Sequence, residues 1–502
     1  MTNPMPAGGD GASMVQLAVC LGLTAAIALA TWLTLRREAH DGSKKDVYLA
    51  GGKLSWLFVA GAITLTNLST DQLVGMNGNQ MLLLAWWEIS GFVGLLILAF
   101  VFVPIYYRAR VTTVTELLEQ RYGGGGIRTL VSALFLFGMV LIYLPAGLYS
   151  GALFLQTSGI DLPLLVLAGF LGVIAAAYTM TGGLRAVAVM ETYSGIGVLA
   201  IAVLIVVLAL NAVDWDIARG VPPERLTMVG AADSPIPFHT LFTGMIFIQI
   251  FYWSTNQPIT QKAMAAPNVR EAQKGVLAAA VVRILIIPAI VVIPGVVAFQ
   301  LFGDVDDAAY GKLVGAVLPP WLSGVFAAAI AAAVIAHTAA VMNAAVGLYA
   351  VDFHEKFVGR VESHWRLSGI VTVLLTATSI ALVPVFQNAQ SIINLLQQLN
   401  GLSSMPILSA FIVGLLFTGV ESRAAIVGVV WGFVLYALFS FVAEPMALVG
   451  LHYIDVMVVT LATSVIAALA FNRFVLGGRA RFAPREVFAQ LALRSDAEEV
   501  FK

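Results

Sequence analysis

The chain has 502 residues, of which 60% are hydrophobic and 11% are charged, and its mean hydropathy is +0.91. A soluble protein of this size needs more polar surface than this composition supplies, so the sequence predicts an integral membrane protein. The formal net charge of −1 argues against a nucleic-acid partner, and the single cysteine, Cys20, excludes an internal disulfide.

The chain begins with a polar segment and continues as a series of apolar runs. Residues 1–13 carry no Lys or Arg and so lack the basic segment of a cleaved signal peptide, which means that the first run, 14–35, is predicted to remain as a span. Runs long enough to cross roughly 30 Å of hydrocarbon follow near residues 56–77, 82–107, 128–156, 161–180, 186–211, 237–256, 275–302, 321–349, 367–386, 391–418, 423–443 and 455–475. The sequence therefore predicts an all-α integral membrane fold with about 13 transmembrane helices.

The basic residues of the loops predict the orientation of the chain. If the loop after the first span is cytoplasmic, the loops on its side and the C-terminal tail hold 23 of the 27 Lys and Arg residues. Cytoplasmic loops carry such an excess. We therefore expect a multi-pass protein of the cell (inner) membrane with its N-terminus outside and its C-terminus in the cytoplasm. The opposite loops hold three, Arg219, Arg225 and Lys312, and the one remaining basic residue, Arg283, falls within a predicted span.

Two of the predicted spans are interrupted by polar segments. TNLSTDQ, residues 66–72, breaks the second span, and WSTNQP, residues 253–258, ends the seventh. Unwound backbone persists in lipid only where it lines a cavity, and two broken helices at corresponding positions indicate an inverted-repeat transporter. We predict a five-plus-five inverted-repeat core with two broken helices, divided into an N-terminal span and loop 1–55, a first repeat 56–211, a second repeat 237–418, and peripheral spans with a short tail 419–502.

Charged and amide side chains cluster at the first break and in the span that follows it. A charge within a span, such as that of Glu88, costs at least ~2.5 kcal/mol on insertion scales, so it usually faces a pore or a ligand. The alternative is that these side chains form hydrogen bonds between helices.

Several segments resemble the sodium/solute symporter family, which includes the sodium/glucose cotransporters. They are LTNLSTDQLVGMNG, WEIS, TGGLRAVAVMET, FYWSTNQPITQKAMAA, EAQKG, VVIPG and LLQQLNGLSSMP, and the similarity runs from about residue 46 to 443. LTNLST, LYSGAL and QLNG are most similar to bacterial sugar-transporter-like members. The resemblance implies a secondary active transporter, not an enzyme, that moves a sugar or similar polar solute by alternating access, without an organic cofactor and with sodium or a proton as coupling ion.

The resemblance also implies a central solute site with gates. Its substrate-binding positions match Gln72, Trp87, Glu88, Gln249, Tyr252, Arg283 and Gln397, and its gate positions match Met76, Trp87, Tyr252 and Ile393. Gln249 replaces an Asn or Thr of the relatives, and Arg283 replaces a Lys. Amides and carboxylates suit the hydroxyl edge of a sugar, and aromatic rings suit its C–H face. The alternative for Trp87 and Tyr252 is that they are interface-belt or core aromatics, and the alternative for Gln397 is a hydrogen bond between helices. Glu88 and Arg283 could in addition form an ion pair.

The ion site implied by the resemblance departs from the family pattern. It combines backbone carbonyls around Leu65 and Leu68 with Ala333 and two hydroxyl positions, which here are Ala336 and His337. Sodium needs oxygen ligands, and an imidazole nitrogen is a poor substitute, so we predict a degraded sodium site.

Three further residues bear on the coupling ion. His337 is either a packed, neutral residue or a proton site, because an imidazole gains and loses a proton near neutral pH. Glu191 matches a family Asp that is associated with sodium coupling. Asp71 matches an acid next to the substrate Gln, and capping of the broken helix is an equal alternative for it.

Four alternative functions stay open at this stage. Proton-coupled or facilitated sugar transport follows from the degraded sodium site. Symport of a small carboxylate is suggested by the bidentate guanidinium of Arg283. A substrate sensor or a channel is disfavoured by the short tail and by the paired gates.

Overall fold

The computed structural model describes residues 50–68, 70–361, 363–387, 391–443 and 450–487, and four isolated positions before them. The predicted first span, 14–35, lies outside these residues except for the four isolated positions, and Cys20 lies outside them. The described α-helices are α1 Trp56–Asn67, α2 Thr70–Gly78, α3 Ala85–Ile97, α4 Val103–Ala109, α5 Val114–Tyr122, α6 Gly125–Gly138, α7 Leu144–Thr157, α8 Leu164–Ala212, α9 Pro223–Leu226, α10 Gly244–Ser254, α11 Gln257–Met264, α12 Val269–Leu285, α13 Ile287–Phe302, α14 Ala309–Val317, α15 Pro320–Leu348, α16 His364–Phe386, α17 Ile392–Leu416, α18 Ser422–Leu438 and α19 Tyr453–Phe474.

Shorter elements join or extend these helices. The 3₁₀ turns are Ala50–Gly52, Leu82–Leu84, Phe238–Phe242 and Asp306–Ala308, and the π-helical turns are Leu98–Phe102, Met139–Tyr143, Tyr349–Val358 and Phe439–Ala443. The sequence does not predict the one small strand pair of the described part, in which β1 (Phe417–Thr418) pairs antiparallel with β2 (Arg481–Phe482).

The membrane class predicted from composition is confirmed. In the described part of the chain nine helical stretches are long and apolar enough to cross a membrane: Leu82–Ala109, Gly125–Thr157, Val187–Ala212, Val269–Phe302, Pro320–Val358, His364–Phe386, Ile392–Leu416, Ser422–Val442 and Tyr453–Phe474. Leu164–Met180 and Gly244–Ser254 are shorter apolar helices. The total of 13 spans stays a prediction.

One helix differs from the predicted boundaries. The sequence predicts two spans, 161–180 and 186–211, with Arg185 in a loop between them, but the backbone is helical throughout α8, from Leu164 to Ala212. The intervening TGGLRA holds two glycines and no proline. Glycine disfavours a helix only mildly, whereas proline would break it.

Both predicted helix breaks are confirmed. Between α1 and α2, Leu68 has a non-helical backbone with φ −76° and ψ 56°. Between α10 and α11, Thr255 and Asn256 are non-helical, and α11 resumes with Pro258 in its first turn, where a helix does not need the missing N–H. The freed polar groups of both segments therefore lie inside the helix bundle.

Helix α15 lies at the centre of the bundle. All of its residues from Phe326 to Leu348 are buried, and it packs against α8, α7, α16 and the broken helix α1. A run of small alanines allows such close approach between helices in a membrane. This packing places His337, near the middle of α15, beside the first break.

Candidate functional site

A polar cavity lies between the two broken helices and the helices around them. Its volume is about 60 Å³ in this conformation, and it is partly open to solvent. Six of the seven predicted solute residues line it, namely Gln72, Trp87, Gln249, Tyr252, Arg283 and Gln397, and the predicted gate residue Ile393 and ion-site residue His337 line it as well. Residues from both repeats predicted from the sequence therefore meet in one space.

Two predicted residues lie outside this lining. Glu88, in α3, is completely buried and reaches the cavity only through Arg283, whose Nη2 lies 2.6 Å from the Glu88 Oε2. Met76, in α2, is also completely buried and is not part of the lining. In this conformation a direct contact between Glu88 and a solute has no support, whereas the predicted Glu88–Arg283 ion pair is present.

The Arg283 guanidinium is held on a second side by an aromatic ring. Its Cζ lies 4.3 Å from the ring centre of Trp253, a cation–π contact. The indole N–H of Trp253 donates to Gln249 Oε1 at 2.9 Å. The Gln249 amide in turn donates to the Trp87 carbonyl at 2.7 Å and to Ser90 Oγ at 2.9 Å. Gln249 thus fixes α10 against α3 and positions Arg283 through Trp253.

Two glycines of α3 make this arrangement possible. A methyl group at Gly91 would come within 2.5 Å of Arg283 Nε, and one at Gly94 within 2.5 Å of the Gln249 carbonyl oxygen. The two positions lie about one turn apart on the same face of α3. The sequence shows both glycines but does not indicate which helix they face.

The far side of the cavity carries a hydrogen-bonded chain that the sequence reasoning missed. The Tyr143 hydroxyl donates to Asn400 Oδ1 at 2.5 Å, and the Asn400 amide donates to Gln397 Oε1 at 3.0 Å. Because the Gln397 oxygen is already an acceptor, its amide N–H groups are the donors left for a solute. The one available signal was spacing, since Gln397 and Asn400 lie three residues apart on one face of α17.

The N-terminal end of α17 is held against the C-terminal end of α2. A methyl group at Gly75 would lie 2.9 Å from the Cβ of Ile393, so the two helices are in direct contact. Asn79 donates to Ser391 Oγ at 3.4 Å, and Asn394 donates to Asn79 Oδ1 at 3.5 Å. These contacts hold α2 and α17 together next to the predicted gate residue Ile393.

A buried acid forms a further contact with this helix end. Asp307 Oδ2 accepts the backbone N–H of Ile392 at 3.0 Å, and the Asp307 side chain lies close to Gly78 of α2. Burial raises the pKa of the Asp307 carboxyl to about 7, and the neighbouring Asp306 adds to the rise although the hydrogen bond from Ile392 opposes it. The pKa of this acid therefore lies near physiological pH.

Replacing Asp307 with Asn is expected to stabilise the protein above neutral pH and to change little in acid. A pKa that is raised on folding means that the folded state holds the proton more tightly, so stability falls as pH rises from about 4 to about 7. Asn keeps an oxygen for the Ile392 N–H but never ionises. Melting temperatures of both proteins from about pH 5 to about pH 8 should diverge with rising pH, whereas Asp161→Asn, at an exposed position, should show no such trend. Parallel curves for Asp307→Asn would contradict this expectation.

The two hydroxyl positions of the predicted sodium site lie on α15 and are occupied by Ala336 and His337. Ala333 and Ala336 are buried against neighbouring helices, and His337 is 8% exposed and faces the cavity. The hydroxyl of Thr338 is buried and makes no hydrogen bond within the described residues. A methyl group at Gly147 of α7 would lie 4.0 Å from this hydroxyl, so the hydroxyl faces α7.

The carbonyl side of the predicted site is only partly described. Leu68 is completely buried in the break, and its N–H donates to the Thr64 carbonyl at 2.9 Å. Leu65 lies in the last turn of α1. Because α1 packs against α15, the break and the His337 region lie on adjacent helices.

Glu191, which matches the family Asp associated with sodium coupling, forms a buried ion pair. Its carboxylate is 2.6 Å from the Lys262 ammonium, and both side chains are fully buried. Lys262 also donates to the Ala62 carbonyl of α1 at 3.3 Å. Lys262 is one of the 23 basic residues that the sequence places in the cytoplasmic loops and tail, and this was wrong, because it lies in α11 and is buried in the bundle. The Glu191–Lys262 pair links α8, α11 and α1.

The geometry is that of a secondary transporter, because two broken helices flank a polar cavity inside a membrane-spanning bundle. The chain belongs to the sodium:solute symporter family, whose sequence pattern matches residues 47–432. It is 30% identical to the uncharacterized symporter YidK of Escherichia coli K12, over 95% of this chain and 86% of that one.

Relatives with a named cargo are also similar in sequence. The sodium/glucose cotransporter of Vibrio parahaemolyticus is 27% identical over 80% of this chain and 81% of its own length. The human sodium/myo-inositol cotransporter 2 is 28% identical over 82% and 67%. These relatives agree with the prediction of a transporter rather than an enzyme.

A solved structure supports the fold. A sodium-coupled sialic acid symporter in a substrate-bound outward-open state superimposes with a TM-score of 0.78 over 93% of this chain and 99% of that one, at 17% identity. At this identity the likeness supports the shared architecture and not a shared cargo.

Proposed function

We propose that the protein is a symporter for a sugar or similar neutral polyhydroxylated solute, which binds in the cavity between the two broken helices. The observation that carries this proposal is the composition of the cavity lining. The amide groups of Gln72 and Gln397 are hydrogen-bonding groups of this lining, Gln397 as a donor, and the rings of Trp87 and Tyr252 offer apolar faces. Hydroxyl-rich solutes with C–H faces match this combination.

The charge of the cavity favours a neutral solute over a carboxylate. Arg283 is the side chain that would recognise a carboxylate, but its charge is already matched by Glu88 at 2.6 Å. An anion beside Arg283 would share this guanidinium with Glu88, so that two negative charges would depend on one positive charge in a buried site, which is unfavourable. The glucose and myo-inositol named in the relatives are neutral polyhydroxylated solutes and support the same choice.

The proposal includes the orientation of the protein in the membrane and its coupling ion. The distribution of Lys and Arg in the loops supports an inner-membrane protein with its N-terminus outside and its C-terminus in the cytoplasm. The loss of both hydroxyls at Ala336 and His337 supports coupling to a proton, or facilitated transport, rather than coupling to sodium.

Uptake into proteoliposomes tests the cargo. Purified protein should take up D-glucose or myo-inositol, and excess unlabelled solute of the same kind should compete with it. Small carboxylates such as acetate or pyruvate should not compete. Competition by the carboxylates alone would contradict the proposal and would favour anion symport.

Replacing Gln397 with Ala is expected to weaken solute uptake about tenfold, because an unsatisfied buried hydrogen-bonding partner costs about 1–3 kcal/mol. The change removes a donor to the solute and leaves the Asn400 amide without its acceptor. The adjacent Gln398 is a matched control, because its amide donates to the Ser440 carbonyl at 3.3 Å and it does not line the cavity. Gln398→Ala should retain uptake, and equal effects of the two changes would show that Gln397 acts through helix packing alone.

A further inference from the structure

An acid at the first helix break has no role in the site described so far. Asp71 is the second residue of α2, directly after the break, and it lines the cavity together with Gln72, Tyr143 and Tyr252. Its Oδ1 is buried and accepts no hydrogen bond. Buried acceptors without a partner are rare in native structures, and an ionised one is costly, so each calls for an explanation.

No cation of the cavity neutralises this acid. The Arg283 guanidinium lies 2.6 Å from Glu88 and over the ring of Trp253, and no ion pair to Asp71 is present among the described residues. The Tyr143 hydroxyl donates to Asn400 instead. Asp71 is therefore a carboxyl group of the cavity lining that forms no ion pair within the described part of the chain.

Helix capping does not account for this oxygen. A negative charge in the first turn of α2 is favourable for the helix dipole. A cap, however, is made through a hydrogen bond from a backbone N–H, and the buried Oδ1 accepts none. The Asp71 side chain lines the cavity, so a small rotation of its carboxyl group would bring an oxygen to a donor that enters there.

We propose that Asp71 contacts the transported solute and selects it by charge, and this inference rests on the proposed transport of a neutral polyhydroxylated solute. The Asp71 carboxylate accepts hydrogen bonds from hydroxyl groups of the solute, because an ionised carboxylate is an acceptor only. The same charge repels an anionic solute and attracts a cationic one. Asp71 thus complements the donor amide of Gln397 on the other side of the cavity.

Three probes of one shape and different charge test this role. Proteoliposome uptake is compared for D-glucose, which is neutral, D-glucuronate, which is anionic, and D-glucosamine, which is cationic. Wild-type protein should prefer glucose and glucosamine to glucuronate. Asp71→Asn should lower the apparent affinity for glucose about tenfold and raise the ratio of glucuronate to glucose uptake by a similar factor. Asp71→Glu, which keeps the charge, should keep the wild-type ratio.

The controls separate recognition from stability and from the proposed cargo. Asp71→Asn replaces, at nearly constant shape, a carboxyl group that forms no ion pair within the described residues, so its melting temperature should equal or exceed that of the wild type. Asp161→Asn, at an exposed position outside the cavity, should leave the ratio unchanged. If wild-type protein takes up glucose and the Asn variant keeps the wild-type ratio, the inference about Asp71 fails and the proposed function stands. If wild-type protein takes up glucuronate in preference to glucose, both fail.

Discussion

Replacing either Glu88 or Arg283 with Gln is expected to destabilise the protein by about 3–5 kcal/mol, because each change leaves an uncompensated charge in the bundle. The two side chains are 0% and 5% exposed, and their charged groups lie 2.6 Å apart. Replacing both together should cost much less than the sum of the single changes, since no charge then remains buried. The difference is the coupling energy of the pair.

A double-mutant cycle of melting temperatures in detergent measures this coupling. An exposed pair on the same helix provides the control, since Lys274 lies 2.9 Å from Glu271 but its side chain is 62% exposed. Lys274→Gln should cost at most about 1 kcal/mol, as is usual for ion pairs at a surface. Additive effects of the Glu88 and Arg283 changes would show that the two charges do not depend on each other, and Arg283 would then be available to an anionic solute.

The sequence was sufficient for the features that depend on local chemistry. The breaks at Leu68 and at Thr255–Asn256 follow from polar segments and a proline within apolar runs, and these signals do not depend on tertiary packing. The Glu88–Arg283 pair was also predictable, because two opposite charges in apolar spans require partners. Cavity residues such as Gln397 were predicted through resemblance to a family. A match to a family motif also indicates where a residue lies in the family fold, which a single sequence does not.

The features that were missed depend on which helix faces which. Asn400 lies one turn from Gln397, but only the packing of α17 shows that Tyr143 bonds to it. Lys262 looks like a loop residue because it follows a proline and a polar run, whereas the fold buries it against Glu191. The direct contact of Gly75 with Ile393 is likewise a property of two helices distant in sequence. Hydrophobic periodicity locates a helix but not its neighbours.

Uptake by the wild-type protein is expected to depend little on a sodium gradient and to change with pH between about 5 and about 8, the range over which a histidine titrates. A gradient drives transport only through an ion whose binding differs between conformations. On α15, Ala336 and His337 remove two oxygen ligands from the predicted sodium site. Glu191 cannot replace them in this conformation, because its carboxylate is 2.6 Å from Lys262. His337 faces the cavity, and an imidazole is the side chain whose ordinary pKa lies in this range.

Restoring the two hydroxyls should restore a response to sodium. The double variant Ala336→Ser with His337→Ser is expected to show uptake that rises with an inward sodium gradient and depends less on pH than wild-type uptake, because oxygen ligands replace the imidazole. Ala340→Ser adds a hydroxyl to another buried position of α15 and should have no such effect. The measurement is initial uptake in proteoliposomes with sodium or potassium outside at constant pH. If wild-type uptake collapses when potassium replaces sodium, the assignment of the ion site to Ala336 and His337 is wrong, and sodium symport through other oxygen ligands is the better explanation.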